Sequence, residues 1–145
     1  FIAYFGFLIF FFIIWENLIL CSHCPYYAEK GKTLRCHANY GLPKTWNYHP
    51  EPLSRSEQIQ FLIGVLIIVG FPITFLIIGE QYLMLIISVV GVILWFCVLQ
   101  LRACKKCINF SCPLNHISKK IVDEYLKHNK VMRNAWEKTG YKIAD

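Results

Sequence analysis

Hydrophobic and polar positions fall into long blocks along this chain instead of alternating at the period of an amphipathic helix or a strand. "FIAYFGFLIFFFIIWENLIL" opens it, uncharged through Trp15 and carrying its one charge at Glu16. No charged residue stands between Gln58 and Gly79, and none between Gln81 and Leu101. Roughly 20 apolar residues cross a bilayer core as a helix. The pattern therefore predicts an all-α integral membrane protein with three transmembrane helices, at 1–20, 58–79 and 81–101. A Cys- and aromatic-rich loop (21–57) and a Cys-rich tail (102–145) flank them. A cleaved signal is the weaker explanation of the first block, which is too long and has no small-residue cleavage pattern before Cys21. The bulky Leu20 also speaks against a lipid-modified Cys21.

Local signals refine this outline. Ser54 and Glu57 stand at capping-box spacing, which marks a helix start before the second block. Pro72 removes one backbone hydrogen bond inside that block, which a neighbouring helix can re-satisfy, and a kink is expected there. Neither later block holds a GxxxG pair, so no dimer face is assigned. In the tail, Ile121, Val122, Tyr125 and Leu126 share one helical face, and Val131, Met132, Ala135 and Trp136 repeat it after a break at His128-Asn129. Two short amphipathic helices are predicted, with Ser118 as N-cap and Gly140 as stop.

Composition agrees: 56% of residues are hydrophobic and 17% charged, against about 45–50% apolar in soluble domains. All 15 Lys and Arg residues lie in the loop or the tail, five and ten respectively, and the short "GEQ" turn has none. Basic connections resist translocation. Loop and tail are thus expected on the cytoplasmic side, with the N-terminus outside. The tail's net charge of +6, from ten basic and four acidic residues, comes without a recognition motif, so nucleic acid is not an expected partner. Its basic helices suit a solvated face over a small local core, or anionic lipid and a protein partner.

Cytoplasmic thiols stay reduced, which turns clustered cysteines toward metal or redox roles. Two half-motifs match. Cys21-x2-Cys24-Pro25 is followed by Cys36-His37, and Cys104-x2-Cys107 by Cys112-Pro113 and His116. Tetrahedral zinc takes four such sulfur or nitrogen ligands. Cys21, Cys24 and Cys36 with His37 or His23, and Cys104, Cys107 and Cys112 with His116, form either two Cys3His sites or one shared centre. Zinc is the first expectation. An iron-sulfur cluster is the alternative, because CxxC segments and a Cys-Pro ending also serve such clusters, although neither half holds four cysteines alone. A thiol oxidoreductase using Cys21 and Cys24 is a third possibility. Cys97, inside the third block, reads as a small apolar residue.

Shells completed by histidine are closed, so the metal serves architecture and leaves no open catalytic position. The expected function is a membrane-anchored metal-binding scaffold or accessory protein. Its rival is an iron-sulfur electron-transfer subunit working with a quinone or a partner oxidoreductase. Tyr40, Trp46, Tyr48 and His49 could line a headgroup or quinone pocket, but aromatic anchoring of the loop is the stronger expectation. Glu16 and Glu80 are expected at span edges where water reaches them. Asp123 and Glu124 diverge as helix neighbours, and no nucleophile, nucleotide or metalloprotease motif occurs. No catalytic residue is assigned.

Overall fold

The computed structural model describes residues 2–36 and 39–144. It is mostly helical, with no strand among the described residues. Three helices are long and apolar enough to cross a membrane: Ile2–His23, Arg55–Ile78 and Tyr82–Lys106. The first and third run past the limits expected at 20 and 101, because both CxxC turns are wound onto the helix ends as 3-10 segments, Cys21–His23 and Cys104–Lys106. Each is preceded by a wide π turn, at Phe11–Trp15 and Leu99–Ala103. The second begins at Arg55 behind a complete capping box, in which the Ser54 amide donates to Glu57 Oε2 (2.7 Å) and the Glu57 amide to Ser54 Oγ (3.3 Å).

First and second spans lock together at two points. Gly64 leaves the hollow that the buried Phe11 ring fills, and a Cβ there would collide with the ring. The second point resolves the proline. Without an N–H at Pro72, the carbonyl four residues earlier, on Ile68, loses its helical donor. Tyr4 of the first span donates its hydroxyl to that oxygen (2.7 Å) and stacks on Phe71. The third span borders the second, and none of its residues in Tyr82–Val98 is buried by protein.

The loop folds back under the end of the first span. Leu34 and Leu42 pair through backbone bonds around Gly41, whose φ of 86° suits a residue without Cβ. Asn17 donates to the Pro43 carbonyl (2.8 Å) and the His49 amide to that of Ser22 (2.9 Å). In the tail, helices Lys119–His128 and Lys130–Lys138 meet at Asn129, whose side chain caps the second by accepting from the Met132 amide (3.1 Å). Ser118 stands at the N-cap without a side-chain bond, and Gly140, at φ 91°, ends the second helix. Val122, Leu126, Met132 and Trp136 form their core, and Tyr48 of the loop packs against it.

Ile121 and Val131, expected on the buried face, are exposed at 54% and 63%. Asp123 is buried instead, because Lys119 Nζ (2.8 Å), the Tyr141 hydroxyl (2.8 Å) and the Ala144 amide (3.2 Å) all donate to it. The Lys119 ammonium, with these other donors, holds its carboxyl below the usual range.

Candidate metal centre

A CxxC segment presents two sulfurs to one side when its backbone closes into a single turn. Both do so here: the Cys24 amide donates to the Cys21 carbonyl (2.9 Å) and the Cys107 amide to that of Cys104 (3.4 Å). The second cysteine of each pair then leaves in extended conformation, Cys24 at φ −82°, ψ 137° and Cys107 at φ −77°, ψ 125°. That geometry aims the amide two residues on at its sulfur. Tyr26 donates to Cys24 and Asn109 to Cys107, and Leu114 does the same for Cys112 after its own turn. The Asn39 amide serves Cys36 (3.2 Å).

The two halves meet. Cys21, Cys24 and Cys36 from the loop side and Cys107 from the tail line one cavity of about 420 Å³ between the ends of the first and third spans. Cys112 lies within electrostatic reach of Cys24, Cys104 and Cys107. All seven cysteines are free thiols. Among the described residues, no three His, Cys, Asp or Glu side chains converge on one point as metal ligands; the sulfurs surround a space. Burial pushes the Cys24 thiol up to about 12 and Cys112 to about 11, and raises Cys107, while the donated amides pull the other way. Such thiols are neutral at pH 7 until a cation stabilises their anions.

The histidines part company with the cysteines. His37 lies outside the described residues. His23 is buried, with Nδ1 on the Glu51 carbonyl (2.7 Å) and Nε2 facing Glu57 Oε1 at 3.4 Å. It thereby ties the first CxxC turn to the cap of the second span instead of facing the cavity. His116 is exposed and does not line the cavity. Of the remaining candidates, Cys104 is buried beside Cys107 but outside the lining, and Cys97 is exposed on the third span. Tyr40, Trp46, Tyr48 and His49 line no part of it either. Tyr40 and Trp46 are exposed, and Tyr48 joins the tail core to the cluster around Cys21, Tyr27 and Leu34.

Three participants lay outside the sequence expectation. Asn39 donates its side-chain amide to both Cys21 Sγ and Glu16 Oε1, each at 3.2 Å. Asn109, 5% exposed, donates to the Leu20 carbonyl (2.8 Å) and so fastens the tail to the end of the first span. Glu16 corrects an expectation outright: its carboxylate lines the cavity, and Oε2 is buried without a hydrogen-bond partner. Glu80 does sit exposed in its turn, as expected. The available signal was spacing, since Asn39 and Asn109 follow Cys36 and Cys107 by three and two residues.

The chain matches no protein-family model, no curated protein and no solved structure. Its chemistry rests on the donor set itself: soft sulfurs, N–H groups directed at them, one carboxylate, and the cations Arg102 and Lys106 at the cavity wall.

Proposed function

We propose that this protein is a membrane-anchored metal-binding scaffold in which one cysteine-held centre, with zinc as its ion, fastens the loop to the tail. The observation that carries this reading is the shared cavity, lined by Cys21, Cys24, Cys36 and Cys107 from segments far apart in the chain. A tetrahedral zinc shell filled by protein ligands drawn from this lining leaves no open position, which suits architecture over catalysis. The distribution of Lys and Arg supports a cytoplasmic loop and tail, where thiols stay reduced. With the tail so held, its exposed Lys120, Lys127, Lys130 and Arg133 present a basic face to anionic lipid or a protein partner.

One observation favours a second reading. The sulfurs surround about 420 Å³ without three of them converging, and an iron-sulfur cluster spaces its cysteines more widely than one zinc ion does. In that case the protein is an electron-transfer subunit serving a quinone or a partner oxidoreductase.

Anaerobic purification of the full chain in detergent, followed by elemental analysis and an optical spectrum, tests both. A colourless protein with bound zinc that is lost in Cys107→Ser supports the scaffold. A brown protein containing iron and sulfide supports the cluster. A protein that holds neither metal, and keeps its tail docked in strong chelator, overturns both.

A further inference from the structure

We infer that Glu16 is an oxygen ligand of the ion bound in the cysteine cavity, giving the centre a mixed thiolate and carboxylate shell; this rests on the metal-centre reading above. An ionisable residue in an apolar span calls for a partner. Among the described residues no ion pair reaches Glu16. Asn39 donates to Oε1, while Oε2 is buried and unpartnered. Glu16 shares its cavity with Cys21, Cys24, Cys36 and Cys107; once those thiols ionise they repel a carboxylate, and a bound cation between them turns the grouping favourable.

The local backbone serves this placement. The π turn Phe11–Trp15 ends immediately before Glu16, whose amide donates to the Phe11 carbonyl. Such a turn inserts an extra residue into the helix and re-aims the side chains beyond it, and π turns are frequent at functional sites. Asn39 then holds Glu16 Oε1 and Cys21 Sγ on one amide nitrogen while its own backbone N–H holds Cys36. A carboxylate and two cysteines are thus oriented together by a single residue. Zinc accepts carboxylate oxygen beside thiolate sulfur.

The test uses the full-length protein in detergent with Co2+ as the probe, titrated against a competing chelator. Wild type is expected to take up the ion and show thiolate-to-cobalt charge transfer. Glu16→Gln preserves the shape and the acceptor for Asn39 but removes the anionic ligand. Its Co2+ affinity is expected to fall about tenfold or more, with the charge-transfer band retained and the ligand-field bands shifted. Glu16→Asp, a milder change, is expected to bind between the two and to shift the same bands, and it stands in if the Gln variant does not fold. Wild-type affinity and wild-type bands in a folded variant overturn the role of Glu16 alone, provided that Cys107→Ser abolishes uptake. No uptake by wild type overturns the metal centre itself.

Discussion

The first and third spans end in the same succession of backbone forms, a five-residue π turn and a 3-10 CxxC turn, followed by an extended second cysteine. They differ in what lies between and around. The first span interposes one α turn, Glu16–Ile19, which carries Glu16 and the buried Asn17. Its CxxC interior, Ser22 and His23, is buried, bonded to the Leu18 and Glu51 carbonyls and facing Glu57. The third span goes directly from π turn to CxxC, and the interior residues Lys105 and Lys106 are exposed. One half is a frame held by the protein around it, whereas the other is hung from that frame through the Asn109 hydrogen bond and the packing of Leu114 and Tyr48. A ligand shared between them therefore contributes most to docking the tail and least to shaping the loop.

The largest test of this asymmetry is the metal. Cys24→Ser and Cys107→Ser, which each remove a cavity sulfur, are expected to weaken zinc binding by at least roughly a hundredfold, more than a supporting residue would. Cys104→Ser, outside the lining, is expected to cost much less. Chelator competition on the purified variants measures both, and equal losses would erase the distinction between lining and flanking cysteines.

Next comes the frame. Gly64→Leu drives a side chain into the Phe11 ring and is expected to cost about 1–3 kcal/mol by overpacking, read as a lower denaturant midpoint in detergent. Tyr4→Phe strands the Ile68 carbonyl beside Pro72 and is expected to cost about 1 kcal/mol, within the modest range of hydrogen bonds between membrane helices.

The smallest effects are in pH, and they run in opposite directions for the two regions. Metal-free, the frame's Cys24 titrates near 12 when folded but near 8.5 in a free chain. The unfolded state loses that proton first, so stability falls as pH rises above about 8.5. Zinc binding releases thiol protons and strengthens with pH over the same range. Asp123 in the tail has its folded value lowered. Its contribution is present above the ordinary carboxylate range of about 4 and is lost as pH falls through the folded value. Trp136 fluorescence, reporting the tail core, is expected to change in acid for wild type and already at neutral pH for Asp123→Ala.

Much of the fold was legible because it follows from local composition. Span existence came from uninterrupted apolar length, the second span's start from Ser54 and Glu57, and the tail helices from their spacing. What the sequence could not disclose was pairing at a distance. Pro72 announces a missing donor, but Tyr4, 64 residues away from the carbonyl it serves, is one aromatic among many. Glu16 looks like any carboxylate at a span end until the loop folds Asn39 over it. His23 sits between two cysteines and reads as a ligand, yet the loop takes its Nδ1 through the Glu51 carbonyl and its Nε2 faces Glu57 at the cap of the second span. In the tail, Asp123 displaced an apolar neighbour from the buried face because three donors, two of them beyond the helices, converge on it.

The Tyr4 hydroxyl on Ile68 has a consequence for biogenesis. A helix carrying an unmet carbonyl is poorly suited to hydrocarbon until the earlier helix arrives beside it. If the three helices enter a bilayer, the first span is expected to stay beside the second as it inserts, and a chain begun after Asn17 would be expected to insert its remaining hairpin less efficiently than the Tyr4-bearing chain.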